Sequence, residues 1–286
     1  MNRAEAVLLG ITAIWGFTFP AMKVSLDYVP PMLFLAYRFG IASLLMLIIF
    51  RRKVLSSEAL KEGFILGLTL FFGHGFQIVG LKYTTASNSA FITSLYVVFT
   101  PFIAYLLLGE RIEASDVVSL LIALTGLYLI SGGSVNLNRG DLLTVLCALS
   151  FAFQIVLVEK FGEKDYVGLA FWQIMWNFIL SLGFALLLEP LVVPRDPLPW
   201  IGIIYTSVFA TFIAFTLQIK YQRYTRAHRA ALIYSSEPIF SHIASFLTLG
   251  EVMKPRGYLG AFLILAGIWN EIRKTNEKVI KTSDNN

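Results

Sequence analysis

The chain has 286 residues, of which 57% are hydrophobic and only 14% charged, with 23 Lys+Arg against 18 Asp+Glu. So few charges cannot coat a soluble surface, where about 25% is usual; the richness in Phe and Leu excludes a disordered chain, and the single cysteine, Cys147, excludes an internal disulfide scaffold. With a mean hydropathy of +0.71, what remains is an integral membrane protein.

A spanning helix needs about 20 apolar residues, and ten runs meet that need in chain order: residues 4–22, 32–50, 63–81, 86–108, 115–132, 141–159, 167–188, 199–219, 229–249 and 256–271. They are continuously apolar rather than alternating, so a β-barrel is not expected. The first does not read as a cleavable signal, because Glu5 sits in its short polar head and Pro20-Ala-Met-Lys23 leads directly into more membrane sequence.

The first run carries Trp15, Gly16, Thr18 and Pro20. Pro20 interrupts the helix hydrogen bonding near its far end, which suits a hinge or gate. Trp15 suits stacking on an aromatic substrate or, the commoner fate of tryptophan, filling a packing space. The second run holds Arg38 roughly 10 Å from its end, at 1.5 Å per residue; the expectation is a structural ion pair or conformational lock. In the third, His74 and Gln77 lie one turn apart among glycines, as a substrate contact or a satisfied structural donor. The sixth run contributes Gln154.

The ninth run carries Tyr234, Glu237, Ser241, Ser245 and Thr248, which share a narrow sector of a straight helix at 100° per residue. The fourth carries Thr93, Tyr96 and Thr100 in the same arrangement. Two such faces are expected to meet across a central cavity; the alternative is that Ser and Thr only hold helices together. A carboxylate at the bilayer centre costs about 2.5–3.5 kcal/mol on insertion scales, so Glu237 faces a partner, water or protein. Binding a substrate ammonium, coupling transport to protons, and anchoring backbone groups freed by Pro238 all fit it. His228 and His242 lack ligand spacing, so neither metal nor cofactor is expected.

Lys and Arg set the orientation. With the N-terminus inside, most of the basic residues fall inside, among them Arg51–Lys53, Lys220, Arg223, Arg226, Arg229 and Arg273; Lys23, Lys82, Arg139, Arg195, Lys254 and Arg256 fall outside. Both termini are therefore expected in the cytoplasm of a multi-pass protein of the cell (inner) membrane. The net charge of +5 follows from this topology and calls for no nucleic acid partner. Residues 273–286 are expected to form a disordered cytoplasmic tail.

Shifted by 141 residues, the chain aligns with itself without a gap. Lys82-Tyr83-Thr84-Thr85-Ala86 meets Arg223-Tyr224-Thr225-Arg226-Ala227; Gln77 meets Gln218, Ser94 meets Ser235, and Leu108-Gly109-Glu110 meets Leu249-Gly250-Glu251. The unit is five helices. Five is odd, so the second copy enters from the opposite side and the halves are inverted, as in secondary transporters with a midplane site. The expected fold is an all-α integral membrane protein of ten transmembrane helices, with repeats at 1–135 and 136–272. Gly109-Glu110 and Gly250-Glu251 read as helix ends, glycine in the cap and glutamate at the start of the next helix.

These residues carry a family resemblance. Trp15-Gly16-Phe17-Thr18-Phe19-Pro20, Arg38-Phe39, Leu108-Gly109-Glu110-Arg111, Glu237-Pro238 and Leu249-Gly250-Glu251, in that order, resemble the EamA-type branch of the drug/metabolite transporter superfamily. The resemblance implies an exporter of amino acids or other small metabolites, or of drugs. One departure is that Tyr96-Val97 stands where the second half has Glu237-Pro238.

The expected function is secondary transport, with substrate bound by Trp15, His74, Gln77, Thr93, Tyr96, Gln154, Gln218, Tyr234, Glu237 and Ser241, and with Pro20, Arg38 and Pro238 as gating or structural elements. Its partners are a small-molecule substrate, the bilayer and, as a candidate coupling ion, protons; the chain itself is expected as a monomer or weak homodimer. Few charges in the path argue against phosphorylated sugars. A membrane-embedded lipid-modifying enzyme is the rival class, but no HExxH, GxSxG or intramembrane acidic pair is present.

Overall fold

In the computed structural model the described residues, 3–55, 59–111, 114–130 and 138–283, form only helices and their connections. The first pass is split into α1 (Arg3–Gly16) and α2 (Thr18–Ser25). Pro20 accounts for the split. A proline ring clashes with the carbonyl four residues upstream, here that of Gly16, so the break falls one turn before the proline. α3 (Pro31–Phe50) opens on a proline, whose missing N–H is harmless at that position. α4 (Leu60–Leu81) is continuous, the fourth pass is split into α5 (Ala86–Thr93) and α6 (Tyr96–Leu108), and α7 (Ala114–Ile130) closes the first half.

The second half runs through α8 (Arg139–Lys160) and α9 (Tyr166–Leu188). α10 (Pro197–Tyr205) continues through a π-helical stretch, Thr206–Ile213, into α11 (Ala214–Gln222). Then come α12 (Ala227–Tyr234), α13 (Glu237–Leu249) and α14 (Pro255–Ser283). Among the described residues, 7 helical passes are long and apolar enough to cross a membrane. The other segments of the expected ten are α7, α12–α13 and α14; the apolar run of α12–α13 is broken by His228, Arg229, Glu237 and His242. The outward side chains include Leu44, Ile48, Leu187, Leu247 and Phe262, all exposed. A continuous apolar coat of this kind is suited to lipid, not water.

The repeat is visible in the element bounds. Shifted by 141 residues, the bounds of α5 and α6 become those of α12 and α13. Both pairs break at the same place, although Pro238 stands in the first turn of the helix after the second break and the first half has only Pro101, further along its helix. What the breaks share is serine: Ser94 and Ser235 each donate their hydroxyl to the carbonyl three residues back, of Phe91 and Leu232. Such back-bonding competes with the helix ladder. Both passes end on a left-handed glycine, Gly109 at φ 73° and Gly250 at φ 65°, a conformation in which a Cβ would clash.

The halves interlock. α7 and α14 cross so closely that a Cβ on Gly126 would lie 2.5 Å from the Gly260 carbonyl oxygen, and one on Gly267 2.8 Å from that of Ser119. These two contacts are images of each other under the repeat, and only glycine allows them. The Gly-Glu motifs correct one expectation. Glu251 does not cap the helix that follows it; its carboxylate accepts the N–H groups of Ala86 and Ser87, at 3.0 Å each, at the start of α5. Glu110 meets His228 in α12. Glu189, likewise, accepts from Met32 and Leu33 at the start of α3. Free N–H groups at a helix start attract a carboxylate; at α3 and α5 it comes from the other half, whereas at α12 it is Glu159 of the same half that accepts from Ala227. The stretch from 273, expected to be disordered, continues α14 as far as Ser283; residues 284–286 lie outside the described residues.

Candidate functional site

Two apolar clusters pack the bundle, and Trp15 and Phe151 touch both. Where they meet is a cavity of about 50 Å³, lined by Trp15, Thr18, Arg38, Leu70, His74, Gln77, Tyr96, Phe151, Gln154, Ile155, Phe215, Gln218, Tyr234 and Glu237. One probe sphere of about 10–15 Å³ holds a water, so this space takes roughly three to five. Its walls come from α1, α2, α3, α4, α6, α8, α11, α12 and α13, and so from both halves.

Eight of the ten expected binding residues line it: Trp15, His74, Gln77, Tyr96, Gln154, Gln218, Tyr234 and Glu237. Several meet as repeat images. The Tyr96 hydroxyl donates to Glu237 Oε2 at 3.4 Å, across a separation of 141 residues. His74 and Phe215 are also images, and their rings lie 5.7 Å apart, edge to face. His74 Nδ1 lies 2.9 Å from the Leu70 carbonyl oxygen, and the ring is edge-on to Phe39 and Phe151 as well. Trp15 donates its indole N–H to the Ala210 carbonyl at 3.0 Å, and stands 5.5 Å from Phe215 and 5.3 Å from Tyr234.

A chain of amides runs along one wall. Gln218 donates to Gln154 Oε1 at 3.2 Å and to Gln222 Oε1 at 3.1 Å; Gln222 donates to the Ile155 carbonyl at 2.8 Å and accepts from the Tyr234 hydroxyl at 3.1 Å. Gln222 follows Gln218 at i+4 on one face of α11, a spacing that marks it in the sequence. Leu70, Phe151, Ile155 and Phe215 were beyond sequence reasoning, because an apolar residue in a membrane helix carries no mark of which way it faces.

Thr93 and Ser241 are not brought to the cavity. Thr93 Oγ1 lies 4.0 Å from Cys147 Sγ. The backbone of Ser241 packs on Gly16, where a Cβ would lie 2.9 Å from the Ser241 nitrogen. The single polar stripe assumed a straight ninth helix. The break at Ser235–Ser236 falls between Tyr234 and Glu237, and both still reach the cavity; Ser241 and Ser245, one and two turns further along α13, are buried away from it, with hydroxyls that have no partner among the described residues. Pro20 and Pro238 do not line the cavity; each stands in the first turn of its helix.

Arg38 departs further from expectation. It is 1% exposed and lines the cavity. Its Nε donates to Thr211 Oγ1 at 2.7 Å, and Nη1 approaches Met22 Sδ at 3.6 Å. No carboxylate lies within 4.0 Å of it among the described residues, so the expected ion pair does not form. Thr211 belongs to the π-helical stretch, and its own hydroxyl donates five residues back to Thr206. Such stretches concentrate at functional sites.

Two repeats of apolar helices that build one shared polar cavity inside an apolar coat define a membrane transporter. The chain belongs to the EamA-like transporter family, whose profile matches residues 2–132 and 138–270, one repeat each. It is 39% identical over 266 residues to an uncharacterized transporter of Archaeoglobus fulgidus, covering 93% of this chain and 84% of that one. It is 25% identical to the transporter YoaV of Bacillus subtilis, over 92% and 94% of the two chains. A Salmonella typhimurium protein named "Probable amino-acid metabolite efflux pump" is 23% identical over 94% and 95%. A solved crystal structure matches with a TM-score of 0.72 at 20% identity, covering 94% of this chain and 98% of its own, which shows the shared fold.

Proposed function

We propose that the protein is a secondary active exporter of amino acids or similar small metabolites, working by alternating access. The observation that carries this reading is the repeat-image contact of Tyr96 with Glu237 inside a cavity built by both halves. A site on a pseudo-two-fold axis can be exposed to either side when the halves exchange conformations. The basic loops orient the chain with both termini in the cytoplasm of the cell membrane. Protons are the candidate coupling ion and Glu237 the residue to carry them. The S. typhimurium relative's name supports amino acids as the substrate class.

Counterflow in liposomes tests this. Purified protein is expected to exchange labelled alanine, leucine or phenylalanine across the bilayer. Failure to exchange any of a broad amino-acid panel, with product formed from lipid instead, would overturn the reading in favour of an enzyme.

A further inference from the structure

We propose that Arg38 is the receptor for the substrate's carboxylate, and that Arg38 and Glu237 together select zwitterionic amino acids; this rests on the transport reading above.

A guanidinium has five N–H donors. In Arg38 the protein supplies one good acceptor, Thr211 Oγ1 at 2.7 Å, and one poor one, Met22 Sδ at 3.6 Å. The Phe39 ring beneath it, 5.2 Å away, gives some further support to the charge. The remaining donors have no acceptor among the described residues, and the residue is 1% exposed. A buried cation with no carboxylate within 4.0 Å is a costly feature for a fold to retain. The one side of Arg38 on which a counter-charge can arrive is the cavity it lines. A carboxylate is the natural visitor, since it accepts two parallel N–H bonds from the planar fork.

Glu237 stands in the same cavity with a complementary need. It is 7% exposed and receives one hydrogen bond, from Tyr96 to Oε2. Arg38 and Glu237 both line the cavity, yet they are not paired with each other within 4.0 Å. Two opposite charges held apart across one small space require an occupant carrying both signs. A simple amine brings Arg38 no opposite charge, and a simple carboxylic acid brings none to Glu237. A phosphate ester meets a carboxylate of its own sign, so one arginine does not make this a sugar-phosphate site. An α-amino acid satisfies both groups, and Trp15, Phe151 and Phe215 offer its side chain an apolar wall.

The test is competition in proteoliposomes loaded with labelled alanine, leucine or phenylalanine. The competitors are the unlabelled amino acid, its amide (ammonium kept, carboxylate neutralised) and the matched carboxylic acid without the amine. On the native protein, the amide and the amine-free acid should each compete roughly thirtyfold less well than the amino acid. In Arg38→Gln, the amino acid should weaken into the range of its amide, closing that ratio to about threefold; Arg38→Lys should retain part of it. In Glu237→Gln the ratio to the amine-free acid should close instead. A native protein that takes the amide as well as the amino acid would overturn the proposal, as would an Arg38→Gln variant that keeps the native ratio. The native comparison needs no variant to fold, so a misfolded Arg38→Gln leaves the proposal open to refutation. If native protein exchanges no amino acid, the transport reading itself fails and this inference falls with it; if exchange is normal but the ratios are flat, only this inference fails.

Discussion

The two halves of the chain are images in their scaffold and differ in their cavity. Gly109 and Gly250 share one cap, Ser94 and Ser235 one helix break, and Gly126 and Gly267 one crossing. Lining the cavity, however, Tyr96 faces Glu237, His74 faces Phe215, and at the position of Thr211 in the second half the first has Leu70. The third pass is a regular helix, while the eighth widens into the π-helical stretch that presents Thr211 to Arg38. Packing two inverted copies demands matched surfaces, so scaffold positions stay alike. A substrate with two different ends has no two-fold symmetry, so a cavity that grips it must differ between the halves.

This contrast can be broken by experiment. The largest effect is expected from Glu237→Gln, which removes the only carboxylate among the described residues that line the cavity; exchange should fall about 10- to 100-fold. Its image, Tyr96→Phe, loses a single hydroxyl and should cost less than about fivefold. Equal losses at the two sites, measured as initial rates in liposomes, would argue that the halves act symmetrically after all. A pH profile on the same Glu237→Gln protein sharpens the role of the acid. A native-like profile over about pH 5 to 8 would remove Glu237 from any coupling role.

In the scaffold the expectation reverses. Gly126→Val and Gly267→Val each force a Cβ into the opposing backbone, and each should destabilise the protein by about 1–3 kcal/mol. Thermal unfolding in detergent checks this, and a large difference between the two would show that the α7–α14 crossing is not symmetric. Trp15→Phe keeps an aromatic ring against Phe215 and Tyr234 and loses the bond to the Ala210 carbonyl, worth about 1 kcal/mol; a several-fold slower exchange is expected. Thr93→Val, away from the cavity, should leave substrate affinity within about twofold. A larger change would mean that the cavity extends towards Cys147.

The membrane class, the helical passes and the twofold repeat were legible in the sequence. Each rests on local apolarity or on chain self-similarity, which need no knowledge of what packs on what. Polar residues in apolar runs were equally legible as site candidates, because burying them without purpose is costly, and most of them do converge. The polar stripe of the ninth pass was only half right. Periodicity puts Glu237 and Ser241 on one face of α13, but the cavity ends near Glu237, and one turn further on the backbone at Ser241 packs against Gly16.

What only the tertiary structure decided was pairing. The identity of Arg38 shows that a cation lies in the membrane, and says nothing about whether a carboxylate comes to meet it. That depends on helices brought together from positions as far apart as Arg38 and Thr211. In the same way Glu251 reads locally as the start of α14's approach, and folds as the cap of α5 in the other half. Hydropathy acts residue by residue and is written in the chain; hydrogen bonds and charge pairs depend on distances of a few ångströms between segments that only the packed bundle sets.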